Sequence, residues 1–213
     1  MNVQNQVARA LLQTGAVGFT PHMPITFKSG IVSPVYVDNR RLPFAPDAWH
    51  VVIDGFRQVI EQESIEFDIL AGIETGAIPH SAALGYVLQK PSVFVRKQAK
   101  EHGQKKAVEG GDVVGKTVLL IEDLVTTGGS SLAGVEALRD EGARVVCCLA
   151  IVSYGFEQAI TAFVAADVQL FTLTSFDYIV QEGQASGHFS AQDVAIIDAW
   201  RQDPLHWSGK GLG

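Results

Sequence analysis

The stretch Val118–Ser131, VLLIEDLVTTGGSS, constrains this chain more than any other. Val118 to Ile121 form a four-residue aliphatic run that predicts a short buried strand. Glu122 and Asp123 close the run. Thr126, Thr127, Gly128, Gly129, Ser130 and Ser131 follow as a hydroxyl- and glycine-rich loop, and a helical pattern begins at Leu132. A loop of exposed backbone N–H groups at a helix N-terminus takes a phosphate. The two acids are placed to take sugar hydroxyls. Together they suit a phosphorylated, electrophilic ribose better than a nucleoside triphosphate. An ordinary buried strand ending in a glycine turn would share the aliphatic run, but would not need both acids and the whole loop in register.

The rest of the chain supplies the frame for that strand. Val3, Val7, Ala10 and Leu11 keep helical spacing, so a first helix runs to about Gln13. Residues 15–31 read as short extended pieces. Pro46 suits a helix start, and Trp49, Ile53, Phe56 and Ile60 mark one helical face. Strands are expected at Ile69–Ile73, Ser92–Val95, Thr117–Ile121, Arg144–Val152 and Val168–Leu173. Helices are expected at Ile78–Leu88, Ser130–Glu141, Phe156–Ala165 and from Ser190 to about Arg201, the last with a capping-box signal at Asp193. Residues 97–115 are charged, glycine-rich and unpatterned, which predicts a mobile loop. Alternating strands and helices make an α/β fold with a central, mostly parallel sheet flanked by helices. Its ligands bind beyond the carboxyl ends of the strands. Both Gly72–Gly76 and the loop after Glu122 fall at such ends.

A chain of 213 residues, 47% apolar and 18% charged, can bury a sizeable core. The expected organisation is one domain over about 1–205, with a hood over about 1–45, a core over about 46–205 and a flexible tail at 206–213. No apolar run is as long as a membrane span, and the first residues carry no signal-peptide pattern, so a cytoplasmic protein is expected. The net charge of −7 argues against a nucleic-acid surface. One segment opposes it: Arg96, Lys97, Lys100, Lys105 and Lys106, five of the sixteen Lys and Arg, lie together with His102. A basic segment in an acidic chain calls for an anion or for plain solvation. Cys147 and Cys148 are neighbours and pair poorly with each other, so both read as buried free thiols. Gly110–Thr117 matches the phosphate-loop pattern GxxxxGK[ST], but a charged loop precedes it and a strand follows. That context is inverted, and the match is set aside. His22, His50, His80, His188 and His206 lack companion spacing and read as ordinary surface or core histidines. Trp49 reads as core, and Trp200 and Trp207 as packing for the last helix.

The stretch around Glu122 resembles the 5-phosphoribosyl-1-pyrophosphate (PRPP) motif of the type I phosphoribosyltransferases. Two further segments narrow the resemblance: Phe27–Asp38, FKSGIVSPVYVD, and Arg96–Gly103, RKQAKEHG. With all three in this order, the chain resembles the orotate phosphoribosyltransferases over about residues 1–205. The resemblance implies an Mg²⁺-dependent transfer from PRPP to orotate, giving orotidine 5′-phosphate and pyrophosphate for pyrimidine (UMP) synthesis. A type I enzyme for another base and a non-catalytic PRPP-sensing regulator are the rival readings. A regulator would be expected to lose the basic loop and gain a DNA-binding extension, whereas this chain keeps Lys100 and His102.

The resemblance also implies roles. Glu122 and Asp123 bind the ribose hydroxyls, and Leu124 and Val125 lead into Thr126, Thr127, Gly128, Gly129 and Ser130, which wrap the 5′-phosphate. Arg96, Lys97, Lys100 and His102 contact pyrophosphate, with Lys100 and His102 catalytic and lent to the neighbouring subunit of a homodimer. Lys28, Tyr36, Thr126 and Tyr154 line the orotate side. Mg²⁺ is held mainly by PRPP and arrives with the pyrophosphate, with no dedicated protein ligands. Two positions depart from some branches: Thr75-Gly76 stands where a Lys can occur, and Ser153-Tyr154-Gly155 where an Arg can.

Overall fold

The computed structural model describes residues 2–96 and 107–209. Helix α1 (Val3–Gln13) is capped by Asn2, whose side chain accepts the Asn5 N–H at 3.0 Å. Its stripe of Val7, Ala8 and Leu11 is buried against α2 (Pro46–Gln62), α6 (Phe176–Ala185) and the last sheet strand. Between α1 and α2 lie two small antiparallel ribbons. Strand β1 (Val17–Phe19) pairs with β4 (Val35–Val37), and β2 (Ile25–Thr26) with β3 (Val32–Ser33). A 3-10 turn, Asn39–Phe44, then leads to Pro46, which opens α2.

The core is a six-stranded sheet. Its strands are β5 (Ile69–Ile73), β6 (Ser92–Val95), β7 (Val108–Glu109), β8 (Thr117–Val125), β9 (Arg144–Ser153) and β10 (Gln169–Ser175). The order is β10-β9-β8-β5-β6-β7, parallel except for β7. Helix α3 (Ile78–Leu88) links β5 to β6, and α4 (Gly129–Asp140) links β8 to β9. Helix α5 (Glu157–Ala165) links β9 to β10. The chain leaves β5 in one direction and β8 in the other. Right-handed crossovers in opposite directions place α3, beside α2, on one face and α4 with α5 on the other. The gap between β5 and β8 is therefore the switch point of the sheet, where the two outgoing loops diverge and leave a crevice.

Several expected elements have changed bounds. Strand β8 does not stop at the acids. It runs through Glu122 and Asp123 to Val125, because β9 offers Ala150, Val152 and Ser153 as partners. The expected loop over 97–115 is ordered where the structure describes it. Val108 and Glu109 pair with Val95 and Phe94, and Glu141 Oε1 accepts the Ala107 and Val108 N–H groups at 2.9 and 3.0 Å. Val108 and Val113 are buried. Helix α6 was not anticipated, although Phe176, Ile179, Val180 and Gly183 hold one buried face at helical spacing. Helix α7 (Ala191–Gln202) starts with the expected capping box between Ser190 and Asp193. Past the expected domain limit, Trp207 still packs on the core.

Cys147 and Cys148 are free and buried on β9. Burial pushes the Cys147 thiol up to about 12 and raises Cys148 as well, so neither is a reactive thiolate. Among the described residues no helix is long and apolar enough to cross a membrane.

Candidate active site

Glu122 and Asp123 follow four fully buried aliphatic residues at the carboxyl end of the central strand β8. Their environments differ. Glu122 is 4% exposed. Its Oε2 accepts the Ser131 hydroxyl at 2.9 Å and its Oε1 accepts the Asp123 N–H at 3.0 Å. Burial, and then the neighbouring Asp123 charge, raise its pKa well above the ordinary carboxylate range. Asp123 is only partly buried, and its carboxylate stands over Gly76, where a Cβ would overlap it. Gly76 belongs to the loop after β5, so this contact spans the switch point. The Glu74–Thr75 peptide in that loop is cis.

After Val125 the chain turns through Thr126, Thr127 and Gly128. Gly128 has φ +83°, a left-handed conformation that favours glycine, and a Cβ there would stand 3.1 Å from the Phe163 ring. Helix α4 then begins without a side-chain cap and without an acid in its first turn. Its first N–H groups have no intrahelical partner, and the helix dipole is uncompensated there. Gly129, Ser130 and Ser131 line the same cleft as Glu122 and Asp123, a cavity of about 260 Å³.

The opposite wall comes from the hood. Phe27, Lys28 and Ser29 form a turn closed by the Gly30 N–H on the Phe27 carbonyl at 2.9 Å. Lys28 is the one cation among the described residues lining this cleft. An aromatic stack holds the turn from behind. The Phe27 ring lies 5.2 Å from that of Tyr154, which packs on Phe156, Phe176 and Trp200. Trp200 Nε1 donates to the Val32 carbonyl at 2.9 Å.

The expected site residues divide accordingly. Glu122, Asp123, Leu124, Val125, Thr126, Thr127, Gly128, Gly129, Ser130 and Lys28 meet in one cleft. Arg96 reaches the far side of the α4 N-terminus, in a neighbouring cavity of about 360 Å³ shared with Gly129 and Ser130. Glu109 pairs with it at 2.9 Å and raises its pKa. The Arg96 N–H donates to the Ala107 carbonyl at 2.8 Å. Lys97, Lys100 and His102 lie outside the described residues. Tyr36 does not line the cleft: its ring covers Gly18 across the β1–β4 pair. Tyr154 is 3% exposed in the aromatic stack, with burial raising its hydroxyl pKa, and it too stands behind the cleft. A larger cavity of about 760 Å³ touches Tyr154 but not Glu122, Asp123 or the turn at 126–131. Its polar lining is Glu157, Gln158, Thr161, Arg201, Gln202 and Asp203, on α5 and the end of the last helix.

The sequence does not single out Asn39, and it gives His80 as an ordinary histidine. Asn39 Nδ2 donates to the Asp123 carbonyl at 2.6 Å. His80 is fully buried nearby. The available signal was small: a polar residue just after a strand, and a His inside an otherwise apolar helix. Among the described residues no three His, Cys, Asp or Glu gather closely enough to hold a metal ion.

Residues 45–181 match the phosphoribosyl transferase domain family. The orotate phosphoribosyltransferase of Bacillus caldolyticus is 38% identical over 205 residues, spanning 96% of this chain and 99% of that protein. That of Coxiella burnetii is 38% identical over 207 residues, 97% and 99% of the two chains. Among solved structures, the orotate phosphoribosyltransferase of Aeropyrum pernix superposes with a TM-score of 0.74 at 30% identity, covering 86% of this chain and 99% of that one. Leishmania donovani UMP synthase gives a TM-score of 0.80 at 26% identity, covering 93% of this chain and 42% of that one.

Proposed function

The chain belongs to the orotate phosphoribosyltransferase family, and from that membership we propose how its cleft divides the work of moving a 5-phosphoribosyl group from PRPP to orotate. The carrying observation is the single cleft at the sheet's switch point. It holds two acids, an uncapped helix N-terminus and the Lys28 turn. The first N–H groups of α4, with Thr126, Thr127, Gly128, Gly129 and Ser130, take the 5′-phosphate. Asp123 takes the ribose hydroxyls. Glu122, tied to Ser131, sits beneath and fixes the strand end. Lys28 and Thr126 face orotate, with Phe27 against the base. Tyr154 supports Phe27 from behind, and Tyr36 stiffens the hood.

A ring nitrogen of orotate forms the new bond to C1 of the ribose while the bond from C1 to pyrophosphate breaks. The ribose becomes cation-like and the leaving group gains charge. Positioning and charge stabilisation carry such a step. Arg96, Lys97, Lys100 and His102 are assigned to the pyrophosphate, Lys100 and His102 as the catalytic pair. The donor set suits a hard cation shared with substrate: Asp123 presents carboxylate oxygens at the cleft, and PRPP would supply the other ligands. Bound Mg²⁺ supplies charge neutralisation at the pyrophosphate. We further propose a homodimer in which each subunit lends residues 97–106 to its partner, working in the cytoplasm.

Orotate absorbance, followed with PRPP and Mg²⁺, tests the reading. Orotate is expected to be consumed, and adenine, hypoxanthine and uracil are not. Gly76→Ala is expected to push the Asp123 carboxylate aside without disturbing the fold, raising the PRPP KM about tenfold or more. Consumption of a rival base, or a wild-type KM in Gly76→Ala, would contradict it.

A further inference from the structure

A buried polar chain lies behind the ribose-binding acid, and none of its members lines the cleft. Trp49 Nε1, on α2, donates to His80 Nδ1, on α3, at 2.9 Å. His80 is fully buried. With Nδ1 accepting, its proton sits on Nε2, which looks onto the Asn39 backbone without a well-aligned hydrogen bond. Asn39 is 1% exposed and opens the 3-10 turn. Its Nδ2 donates to the Asp123 carbonyl at 2.6 Å. Trp49 and His80 thus join α2 to α3, and Asn39 joins the hood to the end of β8, while no hydrogen bond closes the step from His80 to Asn39.

A structural role alone does not account for its position. Beyond Ile121, β5 no longer pairs with β8, so one edge of the strand is open at Glu122 and Asp123. Strand β9 holds the other edge. The Asn39 amide replaces the missing partner on the residue whose carboxylate must be aimed. Gly76 leaves the space which that carboxylate fills.

We propose that Asn39 and His80 are positioning residues for PRPP binding: His80, braced by Trp49, seats Asn39, and Asn39 fixes the backbone at Asp123 so that its carboxylate meets the ribose. This inference rests on the assignment of Asp123 to the ribose hydroxyls. Neither residue touches substrate. Both act through Asp123.

The test is calorimetric titration with PRPP and Mg²⁺ on the full chain, together with steady-state kinetics. The variants are Asn39→Ala, His80→Phe, His80→Asn and Asp123→Asn. Asn39→Ala is expected to raise the PRPP Kd about tenfold, the worth of one well-made buried hydrogen bond. The orotate KM should stay near wild type. His80→Phe removes the acceptor for Trp49 and should shift PRPP in the same direction. His80→Asn restores an acceptor at the Nδ1 position and should recover most of the loss. Stoichiometry separates positioning from poor folding. A reduced binding fraction with unchanged Kd means the residues only stabilise the fold, and overturns the proposal. An equal rise in the orotate KM overturns it as well. Weakened binding in Asp123→Asn beside wild-type Kd in Asn39→Ala and His80→Phe overturns the relay alone. An unchanged Kd in Asp123→Asn overturns the assignment of Asp123, and the relay with it.

Discussion

Neighbouring residues of one type can carry different work when burial separates them. Glu122 and Asp123 stand side by side, yet Glu122 is enclosed and bonded to Ser131 while Asp123 opens on the cleft. His80 follows the same rule with the opposite charge. Burial lowers its pKa from 6.5 to about 4, outweighing the Asp123 charge and the Asn39 backbone, which favour the cation. The unfolded chain then binds the proton first as pH falls. The neutral imidazole therefore stabilises the fold fully above pH 6.5, and that contribution is lost between pH 6.5 and about 4. The difference amounts to about 3 kcal/mol. Urea unfolding from pH 7.5 to 4 should show wild type losing about that much more stability than His80→Asn. Parallel curves for the two proteins would show that His80 is not held neutral by the fold.

At the scale of elements, the site is made by one strand–turn–helix unit. Strand β8 needs its aliphatic run because both faces are covered, and α4 needs a left-handed residue at its start to turn back over the sheet. Gly128 supplies it at φ +83°, pressed against Phe163. Gly187, at φ +78° with nothing around it, isolates the backbone part of the effect. Alanine at either position costs about 1–2 kcal/mol in backbone strain. Gly128→Ala adds the clash with Phe163 and tilts the α4 N-terminus. We expect its melting temperature to fall by about 4–8 °C and its PRPP KM to rise, while Gly187→Ala loses only stability. A Gly128→Ala enzyme with wild-type PRPP KM would detach the phosphate from this turn.

The whole molecule joins three regions that are far apart in sequence. The family match spans 45–181, whereas the hood wall of the cleft, Phe27 to Ser29, and its brace Trp200 lie outside it on either side. The hood and α7 therefore complete a cleft whose strand–turn–helix wall belongs to the common core. A shared dimer site would extend this assembly to a second chain. Mixing inactive Lys100→Ala and Asp123→Asn chains should then restore activity, because one hybrid site in the mixed dimer keeps both residues. Subunits that demonstrably exchange without regaining activity would mean that each chain uses its own Lys100.

The strand–turn–helix part of the candidate site was legible in the sequence because it is local. An apolar run, two acids, a glycine turn and a helix start are contiguous in the chain, and their physics needs no distant partner. The same holds for Ile69–Ile73, Ile78–Leu88 and Ser92–Val95, whose bounds agree with the expectation. Contacts between distant segments decided the remainder. Strand β8 extends past its acids because β9 pairs with it, and residues 108–109 form a strand because β6 has an edge to fill. Tyr154 turns away from the cleft because four other rings bury it. Asn39 meets Asp123 across 84 residues of sequence, a contact that hydrophobic periodicity does not encode. Local propensity selects each element, whereas the partner of a buried polar group is chosen only when packing brings two elements together.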